Sequence, residues 1–154
     1  MMISFRDVHS LNGAVDLLWA LMLTRSREEA RHTNISHREM PTFEQHLEFV
    51  RSKPYYLWFI ILTKHHTDVD VDLPIGAISV TPRNEIGIML MPEHRRRGYA
   101  SQAIKHLLDY YPPLPMIRGE RPATFVANIN PENEASIRLF TSLGGVHISN
   151  TYQL

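Results

Sequence analysis

Residues 86–105 read IGIMLMPEHRRRGYASQAIK. An apolar run from Ile86 to Met91 passes through Pro92 into three consecutive arginines, then Gly98, then a strongly patterned segment. Ala100, Ala103, Ile104, Leu107, Leu108 and Tyr111 fall at i, i+3, i+4, i+7, i+8 and i+11, which predicts a helix over 98–111. A strand, a tight loop and a helix start make an anion site in physical terms. The first turn of a helix leaves about four N–H groups without partners, and the helix dipole adds partial positive charge there. Phosphates bind such ends. Gly98 permits unusual torsions and close approach of a ligand. Ala100 keeps the first turn uncluttered, and Arg95, Arg96 and Arg97 add full charges. A solvated basic loop is the plainer reading. However, each cation at a helix N-terminus is unfavourable by a few tenths to ~1 kcal/mol, and a polyphosphate ligand accounts for three of them.

Working outward, Glu85 to Met91 is predicted to pair as a hairpin with Ile75 to Thr81, across the turn Pro82-Arg83-Asn84. Tyr55 to Thr63, rich in aromatic and β-branched residues, is a further strand. Lys64 to Pro74 reads as a polar loop. Before it, Thr42 and Gln45 form a capping box that opens a helix with Phe43, Leu47 and Val50 on its apolar stripe, ended by Lys53-Pro54. Leu11 to Arg25 has helical periodicity, Ser26 to Met40 has no clean period, and Ile3 to Val8 is a short strand. Downstream, Pro112-Pro113-Leu114-Pro115 breaks the long helix. Ala123 to Asn128 reads as a strand, and Asn133 to Leu143 as a helix stopped by Gly144-Gly145. Val146 to Ser149 and Thr151 to Leu154 read as a final pair of short strands. The expected fold class is α/β or α+β, a mixed sheet with helices on both faces in one domain, 1–154.

Composition narrows the function. Lys plus Arg equals Asp plus Glu at 16 each, so the formal net charge is zero and nucleic-acid binding by bulk electrostatics is disfavoured. Without cysteine there is no thiolate catalysis and no Cys-ligated zinc. The longest apolar stretches fall well short of the ~20 residues that span a bilayer, and no signal-peptide pattern opens the chain, so a cytoplasmic protein without a membrane partner is expected.

Arg95-Arg96-Arg97-Gly98-Tyr99-Ala100 matches the pattern [Q/R]-x-x-G-x-[G/A]. A second block, Asn130-Pro131-Glu132-Asn133-Glu134-Ala135-Ser136-Ile137-Arg138-Leu139-Phe140 ending in Leu143-Gly144, follows N-x-x-N-x-x-S-x-x-x-F-x-x-L-G. Together, in this order and on these elements, they resemble the GNAT superfamily of N-acetyltransferases, from Ile3 to the end. The resemblance implies a strongly twisted sheet of six to seven strands with about four helices, acetyl-CoA as co-substrate, and direct transfer to an amine without an acyl-enzyme. It further implies that the backbone of Ile88 and Leu90 binds the pantetheine arm. The Ile88 amide would polarise the thioester, and the amides from Arg96 to Ser101, including Gly98, Tyr99 and Ala100, would hold the pyrophosphate. Asn133, Ser136 and Phe140 would line the far wall.

Such a transfer needs a base for the protonated amine and a donor for the oxyanion. Glu85, at the start of the central strand, and His46, on the second helix, are the candidate bases. Each has a plainer reading, a hairpin-end charge for Glu85 and a packing residue for His46. Many family members supply the acid from a tyrosine where this chain has Phe140, leaving Ser136, a water or unassisted thiolate departure. The favoured acceptors are an amino-sugar nucleotide, from the likeness of 36–49 to that branch, and a protein N-terminus, with small polyamine or antibiotic amines also open. The alternative is a non-catalytic acyl-CoA-binding module. Asp68, Asp70 and Asp72 with His65 and His66 miss the calcium-loop spacing at Leu73 and Ser79, so no metal is expected. A homodimer is one way of completing a sheet edge near the C-terminus.

Overall fold

The computed structural model describes residues 2–27, 40–65 and 71–154. The elements run β1 (Ile3–Asp7), α1 (Ala14–Arg27), α2 (Phe43–Arg51), β2 (Leu57–His65), β3 (Val71–Val80), β4 (Ile86–Leu90), a 3-10 turn (Pro92–His94), α3 (Tyr99–Tyr110) and α4 (Glu134–Ser142). The four strands form one antiparallel sheet in the order β1-β2-β3-β4.

The central strand explains the layering. LWFIILTKH in β2 is apolar at successive positions, as a strand covered on both faces must be. Trp58, Ile60 and Leu62 pack with Ala14, Leu18 and Leu21 of α1 and Val50 of α2. Phe59 and Ile61 pack on the other face with Ala103, Ile104 and Leu107 of α3. Each fully buried Leu or Ile contributes about 1.5–3 kcal/mol relative to exposure. A register shift opposite Ile61 and Leu62 inserts one extra residue into β3. As a result Ile75 joins the α3 face beside Ile78, although Ala77 packs on the α1 face. Gly76 follows immediately, where any Cβ would meet the Met89 carbonyl and lie 2.7 Å from Leu90 Cδ2.

The capping box forms as read. The Gln45 N–H donates to Thr42 Oγ1 at 3.2 Å, and the Thr42 N–H to Gln45 Oε1 at 2.9 Å. The hairpin of β2 and β3 is longer than the sequence reading, reaching His65 and starting again at Val71. His66, Asp68 and Asp70 lie outside the described residues, as does most of the 26–40 loop. Among the described residues no group of three His, Asp or Glu is placed to hold a metal.

The expectation of six to seven mixed strands is overturned. A strand needs a backbone partner as well as strand-forming side chains. Ala123 to Asn128 meets β4 at one place, the parallel bridge Glu85–Val126. Val146 to Leu154 carries the right alternation but finds no strand partner among the described residues, with Val146, Ile148 and Tyr152 exposed at 81%, 77% and 82%.

Candidate functional site

The site is built from the edge of β4. The Thr81 N–H donates to the Glu85 carbonyl and the Met91 N–H to the Ile75 carbonyl, both at 2.9 Å. In an antiparallel ladder residues alternate between facing the partner strand and facing away. Between those two bonds, Gly87 and Met89 therefore face β3, opposite Ser79 and Ala77. The main-chain groups of Ile86, Ile88 and Leu90 face off the sheet. Two of the three are engaged there: the Ile86 N–H donates to Val126 at 2.8 Å, and the Leu90 carbonyl accepts from Arg95 Nε at 3.1 Å. Ile88 lies midway, its N–H and carbonyl turned to the same edge.

That edge leads into the arginine loop. Arg96 (φ 60°) and Gly98 (φ 83°) are both left-handed. Gly98 is the N-cap of α3 and offers no side-chain oxygen to the helix. The first backbone bond of the helix is from Gln102 N–H to the Gly98 carbonyl at 3.1 Å. The amides of Tyr99, Ala100 and Ser101 precede it, the position where helix amides lack an internal acceptor. Successive amides around left-handed residues converge on a concavity suited to an anion. Arg96 and Arg97 are exposed, while Arg95 is folded back to brace the loop on Leu90.

The second motif joins this region from above. Ile86, Ile88, Leu90, Tyr99, Ala100, Phe125, Leu139 and Phe140 share one apolar cluster. Asn133 caps α4, its Oδ1 accepting the Ser136 N–H at 3.2 Å. Gly144 (φ 88°) closes the helix, and the Gly145 N–H donates to the Phe140 carbonyl at 2.9 Å.

The two candidate bases are placed apart. Glu85 alternates with Ile86, so its side chain shares the α1 face with Gly87 and Met89; it is 32% exposed and 3.8 Å from Arg83 Nε. His46 is buried at 2% between α1 and α2. Its Nε2 donates to the Val15 carbonyl at 3.0 Å, and Trp19 lies 5.4 Å from its ring. The Nδ1 atom is buried without a partner. Val15, Trp19 and Phe43 surround the ring.

Two features were not singled out from sequence. Asn84 is wholly buried and left-handed (φ 64°). Its Nδ2 donates to the carbonyls of Leu114 (2.9 Å) and Pro122 (2.8 Å), and its Oδ1 accepts the Leu114 N–H (2.8 Å). Its own carbonyl accepts the Val126 N–H at 2.9 Å. It thereby holds the 112–126 segment against β4. The signal available was an Asn at the end of a hairpin turn, a residue type that tolerates the left-handed region. The other feature is Tyr55, whose ring stands edge-on to Trp58 at 4.7 Å. Burial pushes its pKa up, while Arg25 and a hydrogen bond with the Ser79 side chain pull it back.

Comparison with known proteins places this architecture. The profile of the acetyltransferase (GNAT) domain matches residues 10–146. A search of curated proteins finds no match. Among solved structures, spermidine N-acetyltransferase from Vibrio cholerae, in complex with CoA and spermine, superposes with a TM-score of 0.66 at 15% identity, over 96% of this chain and 82% of that one. A Salmonella typhimurium protein described as an acetyltransferase and solved with acetyl-CoA gives 0.56 at 18% identity, over 94% and 78%. Ribosomal-protein-alanine N-acetyltransferase from Brucella melitensis gives 0.60 at 16%, over 94% and 83%. At these identities the superpositions speak to fold. With the profile spanning most of its length, the chain belongs to the GNAT acetyltransferase family.

Proposed function

We propose that this acetyltransferase moves an acetyl group from acetyl-CoA directly to the primary amine of an amino-sugar nucleotide or a protein N-terminus. The observation that carries the reading is the path from the outward-facing backbone of Ile88 and the Leu90 N–H, past the Arg95-braced Leu90 carbonyl, to the left-handed turn at Arg96 and Gly98. The pantetheine arm pairs with that edge, and the pyrophosphate sits on the amides from Arg96 to Ser101. The Ile88 N–H meets the thioester carbonyl and stabilises the oxyanion. The amine nitrogen attacks the carbonyl carbon, its proton passes to Glu85 directly or through water, and the carbon–sulfur bond breaks. The thiolate, with a solution pKa near ~8.5, departs without a phenol at position 140. Tyr99, Ala100, Asn133, Ser136 and Phe140 close the far wall. His46, bonded to Val15, acts as a packing residue.

The test is a calorimetric titration of acetyl-CoA into wild type and Gly98→Asp, followed by an amine panel read by thiol release. Since the chain has no cysteine, a thiol reagent reports only CoA. The expected result is binding that Gly98→Asp weakens at least about ten-fold, the equivalent of ~1.4 kcal/mol. A folded wild type that binds no acetyl-CoA sinks the assignment. Binding with no thiol release for any amine favours the acyl-CoA-binding module, a reading motivated by Phe140.

A further inference from the structure

We propose that Asn12-Gly13, in the turn that leads into α1, is a site of spontaneous covalent modification. The Gly13 nitrogen closes on the Asn12 side-chain amide, and the turn gains a carboxylate as aspartate or isoaspartate. The turn lies between β1 and α1, outside the site described above.

Asn12 is the one asparagine of the chain followed by glycine. A side chain on the following residue crowds the attacking nitrogen, and glycine has none. The surroundings of Gly13 are open as well, since a Cβ built there would meet nothing within 4 Å. Its φ of 81° is left-handed, a conformation glycine adopts readily. The bonds on either side leave the reacting groups free. The Ala14 N–H donates to the Leu11 carbonyl at 3.3 Å, and the Leu17 N–H to the Gly13 carbonyl at 3.0 Å. Neither bond engages the Gly13 N–H or the exposed Asn12 side chain, and both groups lack a hydrogen-bond partner among the described residues. The other asparagines are placed differently. Asn84 is buried and fully bonded. Asn130 precedes Pro131, which has no N–H to attack with. Asn133 precedes Glu134 and caps α4. Asn34, Asn128 and Asn150 precede the β-branched Ile35, Ile129 and Thr151, which crowd the nitrogen.

The chemistry needs only water. The Gly13 nitrogen forms a bond to Asn12 Cγ, the bond from Cγ to the side-chain nitrogen breaks, and ammonia leaves with the proton that the main-chain nitrogen gives up. Water then opens the cyclic imide. Attack at Cγ gives aspartate. Attack at the main-chain carbonyl gives isoaspartate, in which the chain runs through Cβ and is longer by one carbon. Either acid releases its proton at neutral pH. Water reaches the turn, because Asn12 lines a solvent-open cavity of about 450 Å³. Arg6, Asp7 and Asp72 line the same cavity, and Arg6 has no ion-pair partner among the described residues. The new carboxylate therefore joins two acids around one guanidinium. In isoaspartate the added carbon falls between the Leu11 and Gly13 carbonyls, which hold the first turn of α1, and loosens that turn.

The full chain is aged at neutral and mildly alkaline pH, both folded and in urea, then digested with trypsin and read by mass. Cleavage at Arg6 and Arg25 isolates the peptide Asp7 to Arg25, which carries Asn12 and no other asparagine. In the folded protein this peptide is expected to convert from amide to acid at least about ten-fold faster than any other asparagine-bearing peptide, and within about ten-fold of its own rate in urea. It is expected to split into aspartyl and isoaspartyl products of equal mass. A folded rate more than about ten-fold below the urea rate shows that the fold shields the turn and overturns the proposal, as does another asparagine converting as fast. Asn12→Gln is expected to remain folded and to stop the growth of the acidic species on ion exchange; persistence of that species overturns the assignment to Asn12. Asn12→Asp carries the charge without the added carbon. Aged wild type is expected to unfold at lower urea than Asn12→Asp, and an equal midpoint overturns the loosening of α1.

Discussion

Asn84 concentrates five hydrogen bonds in one residue, three of them through its side chain. Removing that side chain takes the partner from half-buried main-chain groups at Leu114 and Pro122 and leaves a cavity at a wholly buried position, each loss costing about 1–3 kcal/mol. Asn84→Ala is therefore expected to lower stability by about 3–5 kcal/mol in urea denaturation. An Asn at a turn is readable from sequence; that its amide spans to carbonyls 30 and 38 residues away is not, because nothing local encodes those partners. His46 shows the opposite: sequence gave two readings, and burial with a bond to Val15 favours packing. His46→Ala is expected to cost about 2–4 kcal/mol, as a cavity and a lost hydrogen bond together imply, while the acetyl-CoA dissociation constant stays within about two-fold. An altered constant in a folded variant contradicts this placement. Tyr55 makes a pH prediction. Its folded pKa lies above the ordinary 10.0, so its contribution is present below pH 10 and is lost as pH rises through the folded value. Across that alkaline range Tyr55→Phe is expected to lose less stability than wild type, read from urea midpoints.

Helices were legible where their chemistry is local. The capping box of α2, the apolar stripe of α3 and the glycine stop of α4 are each specified by residues within a few positions. The arginine loop stands out in the sequence by its charges, but its backbone shape was not legible there. Arg96 in the left-handed region separates its two contributions. For a non-glycine residue that conformation costs roughly 1–2 kcal/mol, part of which the extra unfolded-state freedom of glycine offsets. Arg96→Gly is thus expected to leave stability equal or higher by up to about 1 kcal/mol while weakening acetyl-CoA binding. Parallel losses in both would show that the side chain holds the loop. At β3, Gly76→Ala is expected to cost more than about 2 kcal/mol, because the added carbon meets strand backbone that cannot move aside.

At the scale of the molecule, the sequence reading erred in the count of strands. Residues 123–128 and 146–154 have strand composition, but pairing is a property of two segments, and only Val126 finds β4. The exposed alternation of Val146, Ile148 and Tyr152 is a free strand face. Ile148→Lys with Tyr152→Lys is expected to shift the urea midpoint by no more than about 0.5 kcal/mol equivalent, as surface changes away from packed groups do. The excursion between Leu114 and Pro122 has a different consequence. Both of its ends are tied to Asn84, and Arg121 adds bonds to the carbonyls of Pro115 (2.7 Å) and Pro82 (3.0 Å). Its tip, at Gly119, has open space around it. The ties sit at the neck, so the tip is structurally independent of what it connects. New sequence spliced in after Arg118 would hang from a closed neck and leave the outer edge of β4 undisturbed, which makes this turn the natural port for lengthening the chain.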